Sequence, residues 1–437
     1  MGIQQVNTTQ VYLDSVLKNN QRISFIDFPV QTFATTYAAN RYITCSAAAG
    51  TALSTGCKTS IGTIAMNYNH TDSLFSVAKA LKEDGFKIGI MTSVGIDDAT
   101  PSVFYAHQGS RGSRYDIAKD LLISGYDLFI SGGFLDPYGK KLKEPVQSIY
   151  TLGKKHSVAF TKTLLGIDSL RGKCKTIVYE TPKPASESSF RYSIDQDSTD
   201  ITLAALTKKA IQTLDNPKGF FMMVEGGKID WACHANDAGS AIDEVIDFSN
   251  AVAQAVDFYN SHPDETVIIV TADHETGGFS LGNKDTKYDI KLSLLKNQKI
   301  SKEAFQEIVK EYFSRTPKPT LQMMLNLAKE KIGIGNADLD LKLSEKELKL
   351  LTDAYNSSIK LGKDAKEKAN YMSESKETFS SICIEILNRR AAIGWTSTSH
   401  TGTPVPVYVL GKGSILFTGR LDNTDIPKKI RQISGVE

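Results

Sequence analysis

The stretch from Thr266 to Gly278 reads TVIIVTADHETGG, and it joins an apolar run to a cluster of charged residues. The run VIIV is typical of a buried strand, and Asp273, His274 and Glu275 follow it closely. Charged side chains at the end of a buried strand cost solvation free energy unless something compensates for them. A metal ion is the usual compensation for such a cluster. The stretch therefore predicts a metal site at the carboxyl end of a strand.

Further short apolar runs have the same character, and each is bounded by polar or glycine residues. They are KIGIMTSV (87–94), YDLFISGG (126–133), KTIVYE (175–180), GFFMMVEGG (219–227) and VPVYVLG (405–411). The stretches between them show helical spacing, as in DEVIDFSNAVAQAVDFYN. Apolar strands that alternate with amphipathic helices are typical of a parallel sheet covered on both faces. The sequence therefore predicts an α/β fold, a three-layer α/β/α sandwich with a mainly parallel central sheet.

The character of the sequence changes between residues 284 and 390, where helical segments rich in lysine and glutamate replace the apolar runs. Within this region Ser344 and Glu347 have the spacing of a capping box, which predicts the start of a helix. A strand-like run returns at 405–411. We therefore expect residues 1–437 to form a single domain with a helical insertion at 284–390. Its charges are more typical of a solvated helix surface than of a binding surface.

The composition is ordinary for a globular protein, with 41% hydrophobic and 23% charged residues. Lys and Arg number 51 against 49 Asp and Glu, so the net charge of +2 gives no bulk field that would attract nucleic acid or an anionic membrane. No apolar stretch reaches the roughly 18 residues of a transmembrane helix. The first residues, MGIQQVNTTQVYLDS, lack the features of a signal peptide.

A second cluster, EGGKIDWACH, begins at Glu225 and follows the apolar run FFMMV. If IDWACHANDAGSAIDEVIDF is a helix, Asp230 and His234 lie four residues apart on one face, where they can hold one zinc ion. His400, which precedes another predicted strand, is a candidate third ligand, and three protein ligands leave one position open for substrate. Taken alone, an Asp–His pair at this spacing is more often a surface ion pair than a zinc site.

A third cluster, YITCSAAAGTALSTGCKTSIG, begins at Tyr42 and places Ser46 in front of a run of small residues. A helix that begins at Ser46 would direct its positive dipole end at the serine hydroxyl, which suits a nucleophile that attacks phosphate. On its own, an alanine-rich packing helix with a serine at its N-cap explains the same pattern.

The motifs YITCSAAAGTALSTGCKT, EGGKIDWACHAND, TADHETGG and SHTG follow one another along the chain, and DDATPSVFYAHQGSR (97–111) lies between the first two. In this order they resemble the alkaline phosphatase family. The resemblance covers the whole core, and only residues 284–390 lack specific motifs. Ordered motifs in a suitable structural context are far more specific than any one of them alone. The resemblance implies hydrolysis of phosphate monoesters to an alcohol and inorganic phosphate through a phosphoserine intermediate.

The resemblance also implies a role for each matching residue, together with two zinc ions and one magnesium ion as cofactors. Ser46 corresponds to the nucleophile, and Arg111 to the arginine that binds the phosphate. The implied metal ligands are Asp230, His234 and His400 for one zinc, Asp273 and His274 for the second, and Thr100 and Glu225, with Asp98 beside them, for magnesium. Hard oxygen ligands suit magnesium, and paired zinc ions stabilise both oxygens of a displacement at phosphorus.

The chain departs from the family pattern at two places. Family members carry a bridging aspartate in a Gly-Asp-Gly-Met-Gly segment at the end of the first strand, whereas this chain reads Met1-Gly2-Ile3. We therefore expect this strand and its carboxylate to be missing, with unpaired sheet edges on both sides of the gap, and Met1 to be an internal methionine of a longer protein. Cys45 stands where the family often has an aspartate that orients the arginine, so Arg111 is expected to be less well positioned.

Three other functions are compatible with the sequence. A phosphodiesterase of the same superfamily would share these residues, a catalytically impaired pseudoenzyme would follow from loss of the bridging aspartate, and a purely structural protein would use residues 284–390 for interactions. The resemblance implies small phosphate monoesters as partners and a periplasmic or secreted location, and a homodimer would resemble many relatives. No nucleic-acid-specific binding and no membrane span are expected.

Overall fold

Helices and strands alternate along most of the chain in the computed structural model, which describes residues 1–315, 319–361 and 378–436. The helices are α1 (Ile3–Tyr12), α2 (Ser46–Thr55), α3 (Val77–Glu83), α4 (Ala99–Ser102), α5 (Arg114–Ile123), α6 (Ile149–Lys155), α7 (Leu164–Leu170), α8 (Leu203–Leu214), α9 (Gly227–His234), α10 (Ala238–Ser261), α11 (Lys302–Arg315), α12 (Leu321–Ile332), α13 (Glu345–Leu361), α14 (Phe379–Arg390) and α15 (Asp425–Ser434). The strands are β1 (Val30–Thr35), β2 (Lys87–Thr92), β3 (Leu128–Ser131), β4 (Val158–Thr161), β5 (Thr176–Glu180), β6 (Phe220–Glu225), β7 (Val267–Val270), β8 (Glu275–Thr276), β9 (Ser280–Leu281), β10 (Ile393–Gly394), β11 (His400–Thr401), β12 (Val405–Gly411) and β13 (Leu421–Asp422). Within the described ranges, no helix is both long and apolar enough to cross a membrane.

The larger sheet has five strands in the order β4-β5-β3-β2-β6, and every neighbouring pair is parallel. Successive residues of a strand point to opposite faces. In β3, Leu128 and Ile130 enter a buried cluster with residues of α8 and α10, while Phe129 enters a second cluster with residues of α3 and α5. Helices therefore cover both faces, and the predicted α/β fold with a mainly parallel sheet is confirmed.

The smaller sheet has four strands in the order β13-β1-β12-β7 and is mixed, because β13 runs parallel to β1 whereas β12 runs antiparallel to both β1 and β7. In the described part of the chain, β6 pairs with β2 alone and β7 with β12 alone, so unpaired edges are present at both strands. All six residues of β6, Phe220 to Glu225, are only half-buried although most of them are apolar. The first described residues form helix α1 and not a strand.

A short ladder connects the segment that follows β7 to the segment that precedes β12. β8 pairs antiparallel with β11, so that His400 lies opposite Thr276 and Thr401 lies opposite Glu275. Although His400 is far from His274 in sequence, this register brings the two imidazole rings into a stack with centroids 3.5 Å apart.

The helices between β9 and β10 share a buried core with α1 and α10. β9 pairs antiparallel with β10 at the base of this region. The predicted capping box is confirmed, since the Ser344 N–H donates to the Glu347 carboxylate at 2.8 Å and the Glu347 N–H donates to the Ser344 hydroxyl at 3.3 Å. Residues 316–318 and 362–377 of the predicted insertion lie outside the described residues, and the division into one domain with an insertion at 284–390 stays a prediction.

Candidate active site

Ser46 is the first residue of α2, and Cys45 is the N-cap residue. The N-cap role considered for Ser46 is therefore wrong. The serine is 8% exposed, and its Oγ lies 3.1 Å from Nε2 of His274. α2 packs closely on the neighbouring helix, because a Cβ at Gly50 would meet Cγ2 of Val103 at 3.0 Å. The hydroxyl is thus buried at the positive end of a firmly packed helix, beside an imidazole.

His234 and His400 present two ring nitrogens to each other, with their Nε2 atoms 3.1 Å apart. Nδ1 of His234 lies 2.7 Å from the carbonyl oxygen of Thr398, and Nδ1 of His400 lies 2.8 Å from that of Thr44. A carbonyl oxygen can only accept a hydrogen bond, so each Nδ1 carries a hydrogen, and in the neutral form of each ring Nε2 presents a lone pair. Two facing lone pairs repel each other unless a cation lies between them. Imidazoles oriented in this way through Nδ1 are typical metal ligands.

Asp230 adds a carboxylate to this pair. Its Oδ2 lies 3.4 Å from Nε2 of His234, and its Oδ1 lies 3.9 Å from Nε2 of His400 and accepts a hydrogen bond from the Thr276 hydroxyl. Ligand atoms of Asp230, His274 and His400 lie within 4.8 Å of one another. Burial would raise the pKa of Asp230, but the adjacent His234 and His274 hold it well below its ordinary range. Nitrogen and carboxylate donors in this arrangement fit zinc.

The helix that carries Asp230 and His234 is shorter than the sequence indicated. α9 ends at His234, and α10 begins at Ala238 with Asp237 as its N-cap residue. The segment IDWACHANDAGSAIDEVIDF, considered above as one helix, forms two, because Asn236 takes a left-handed conformation with φ of 50° and the Asp237 side chain accepts the N–H of Ser240. The four-residue spacing between Asp230 and His234 survives, since both residues lie within α9.

A group of oxygen donors lies on the other side of His274. Asp273 Oδ2 is 3.1 Å from Nε2 of His274 and 3.5 Å from the Thr100 hydroxyl that donates to it. Glu225, at the end of β6, accepts a hydrogen bond of 2.5 Å from the Thr92 hydroxyl. Burial raises the pKa of Glu225 to about 8, and the nearby charge of Asp273 adds to the rise. Carboxylate and hydroxyl oxygens of this kind fit magnesium.

Asp98 engages two arginines. Its Oδ1 accepts from Arg111 at 3.1 Å and from Arg114 at 2.7 Å. Burial would raise the pKa of Asp98, but Arg114 and Arg111 lower it below its ordinary value. Cys45 does not contribute here, since its Sγ accepts the N–H of Gly62 at 3.2 Å. Arg111 therefore has a carboxylate partner without an aspartate at position 45, which differs from the expectation. The assignment of Asp98 as a magnesium ligand stays a prediction.

Two neighbours of the site, Arg114 and Thr92, were not identified from the sequence, and a third residue, Glu275, has a different role from the one expected. Arg114 lies just beyond the motif that ends at Arg111, and this proximity in sequence could have indicated that it belongs to the site. Thr92 ends a strand next to β6, but nothing in its local sequence indicates its contact with Glu225. Glu275, the third residue of the opening cluster, turns away from the imidazoles and accepts hydrogen bonds from the Gln5 amide, the Gly278 N–H and the Thr401 hydroxyl.

Comparison with known proteins adds an independent finding. The profile of the alkaline phosphatase family matches residues 1–125 and 186–436. Alkaline phosphatase 4 of Bacillus subtilis (strain 168) is 32% identical over 390 residues, which are 88% of this chain and 75% of the relative. The cold-active alkaline phosphatase from the psychrophile Shewanella sp. has a similar structure, with a TM-score of 0.78 and 27% identity over 99% of this chain and 97% of that chain. A mutant alkaline phosphatase from TAB5, described with magnesium bound, has a TM-score of 0.68 and 23% identity over 100% of this chain and 95% of that chain.

Proposed function

The chain belongs to the alkaline phosphatase family and is an alkaline phosphatase that hydrolyses phosphate monoesters, and we propose that it does so through a phosphoserine formed on Ser46. The observation that carries this proposal is the buried Ser46 hydroxyl at the start of α2, 3.1 Å from His274. The backbone N–H groups of the first helical turn favour negative charge at this position. The Ser46 oxygen is thus stabilised as it loses its proton and attacks phosphorus.

Arg111 binds the phosphate in this mechanism. Its planar guanidinium offers two parallel N–H donors to two phosphate oxygens. Asp98 supports it, because the contact at 3.1 Å limits the positions that the guanidinium can take. Attack by Ser46 forms the bond from its Oγ to phosphorus and releases the alcohol. Water then attacks the same phosphorus, restores the Ser46 hydroxyl and releases inorganic phosphate.

Two zinc ions and one magnesium ion are proposed as cofactors. Asp230, His234 and His400 would hold one zinc, and Asp273 and His274 would hold the other. Thr100 and Glu225, with Asp98 nearby, would hold magnesium. The facing Nε2 atoms of His234 and His400 support the first assignment, and the oxygen donors around Glu225 and Thr100 support the last. When bound, such ions supply positive charge to the attacking and leaving oxygens.

The test of the mechanism is acid quenching during turnover of a radiolabelled phosphate monoester by the metal-loaded chain. We expect label on Ser46 of the unaltered protein and none in Ser46→Ala, which also loses turnover by at least about a thousandfold. Ser169→Ala, at an exposed serine of α7, is the control and is expected to keep both the label on Ser46 and the turnover. Turnover that survives Ser46→Ala would refute the assignment of Ser46 as the nucleophile. Faster hydrolysis of a phosphate diester than of a monoester would favour a phosphodiesterase.

A homodimer and a periplasmic or secreted location are also proposed, with the family resemblance as their support. Light scattering of the purified chain measures its mass directly, and a monomer of 47.9 kDa at micromolar concentration would refute the dimer. Fractionation of the source cells by compartment tests the location.

A further inference from the structure

A cavity of about 340 Å³ lies beside His234. It is reached from Ser46 along a row of imidazoles, in which His274 contacts the serine hydroxyl, His400 stacks on His274 and His234 faces His400. We call it the His234 cavity, and its lining includes Tyr192, Trp231, His234, Lys302 and Glu303. The volume falls at the lower end of the range of about 300–1,000 Å³ that is usual for small-molecule sites.

Two aromatic rings of the His234 cavity are held by one buried cation. Nζ of Lys228 lies 3.6 Å from the centroid of the Tyr192 ring and 4.7 Å from that of the Trp231 ring. Lys228 is 0% exposed, so both contacts form away from water, where cation–π attraction is stronger. Trp231 itself is only half-buried. The cavity therefore has a fixed aromatic surface that remains accessible.

Another wall of the cavity comes from the start of α11, in the helical region between β9 and β10. The Lys302 N–H donates to Asp237 at 2.7 Å, and its Nζ donates to the carbonyl oxygen of Ala235 at 3.0 Å. These bonds fix α11 against the end of α9. Glu303 lies 3.6 Å from Nζ of Lys228 and keeps 34% of its side chain exposed. A positioned and accessible carboxylate can accept hydrogen bonds from the hydroxyl groups of a ligand.

We propose that the His234 cavity binds the alcohol part of the substrate and that this alcohol is a nucleoside. The proposal rests on the proposed function, because an in-line attack by Ser46 expels the leaving oxygen on the side of phosphorus away from the serine. The imidazole row leads from Ser46 through His274 and His400 to His234, so the cavity lies at the end of the row away from the serine. A flat base stacks on the indole of Trp231, and the ribose hydroxyls donate to Glu303. A small alkyl alcohol makes neither contact.

The first test compares kcat/KM for a nucleoside 5′-monophosphate with kcat/KM for ethyl phosphate, whose alcohol has neither a base nor a second hydroxyl, using the metal-loaded full chain. We expect the nucleotide to be favoured at least about tenfold, and Trp231→Ala to lower this ratio about tenfold, as loss of base stacking predicts. Glu303→Gln should lower it several-fold. Glu307→Gln, at an exposed position of the same helix, is the matched control and leaves the ratio unchanged. A ratio that Trp231→Ala does not change overturns the proposal.

The second test measures binding in the His234 cavity independently of phosphate ester hydrolysis. Adenosine, which carries no phosphate, is titrated into the Ser46→Ala protein, and binding is followed by the broadening of its ring-proton NMR signals. We expect saturable binding that an added Trp231→Ala weakens about tenfold. If neither ester is hydrolysed but adenosine binds through Trp231, the proposed reaction fails and the cavity assignment stands. Absence of adenosine binding overturns the cavity assignment, whatever the rates of hydrolysis.

Discussion

Nε2 of His234 faces Nε2 of His400 at 3.1 Å, and both nitrogens present lone pairs when the rings are neutral, because both Nδ1 atoms donate to carbonyl oxygens. We therefore predict that Zn²⁺ raises the thermal unfolding midpoint of the chelator-treated protein. Binding at 100 times the dissociation constant stabilises a folded protein by about 2.7 kcal/mol. His400→Gln should remove most of this gain, whereas His156→Gln, at an exposed histidine elsewhere, should keep it. An equal response of both variants to Zn²⁺ would contradict the prediction.

The Asp98–Arg111 contact leads to a prediction about phosphate affinity. Asp98→Asn removes the charge that holds Arg111 and Arg114, so the guanidinium of Arg111 becomes less ordered. We expect the inhibition constant for inorganic phosphate to rise about tenfold, which corresponds to about 1.4 kcal/mol. Asp116→Asn, which removes an exposed partner of Lys119, is the control. Unchanged inhibition by phosphate in Asp98→Asn would show that Arg111 does not depend on this carboxylate.

The raised pKa of Glu225 predicts that the stability of the metal-free protein depends on pH. Burial raises its pKa from 4.5 to about 8, so the folded state binds this proton more tightly than the unfolded state does. The stability of the folded state therefore falls as pH rises from about 4.5 to about 8. Glu225→Gln removes this cost, and we expect it to stabilise the metal-free protein by more than about 1 kcal/mol at pH 8 but not at pH 4.5. Urea unfolding at both pH values measures the difference, and a variant that is less stable at pH 8 would refute the prediction.

Glu347, in the helical region, is expected to give the opposite pH dependence, in which stability falls as pH falls. Its carboxylate contacts Arg389 and Arg390, and Arg390 and Ser344 lower its pKa to about 2 despite its burial. The stabilisation is present above the ordinary pKa of 4.5 and is lost as pH falls toward about 2. We expect Glu347→Gln to cost about 2 kcal/mol at pH 7 and progressively less below pH 4.5. A pH-independent cost in urea unfolding would contradict this account.

The strands were predictable where the sequence has a short continuous apolar run. The apolar runs at 87–94, 126–133 and 175–180 became β2, β3 and β5, because a covered parallel strand is apolar at every position. β1 and β4 were missed. β1 alternates between half-buried and exposed residues from Val30 to Phe33 and has one fully buried residue, Ala34, and β4 has four residues, of which only Val158 is fully buried.

The motifs predicted which residues belong to the candidate site but not how these residues are arranged in space. The register that brings His400 to His274 and the contact of Asp98 with two arginines depend on side-chain directions in the folded chain. The helix break after His234 depends on one left-handed residue, which local propensity does not specify. The His234 cavity joins α9 to the start of α11, and neither segment alone indicates it.

The unpaired edges at β6 and β7 affect how the molecule unfolds. Glu225 ends β6 in the five-stranded sheet, and Asp273 follows β7 in the four-stranded sheet, yet within the described residues no strand pairing joins these two sheets. The zinc ion proposed at Asp230, His234 and His400 would link the two sheets, because Asp230 and His234 lie in α9, which follows β6, whereas His400 lies in β11, which precedes β12. Residues of both sheets also share one buried core, so unfolding stays a single transition, and loss of the metal would lower its midpoint and broaden it.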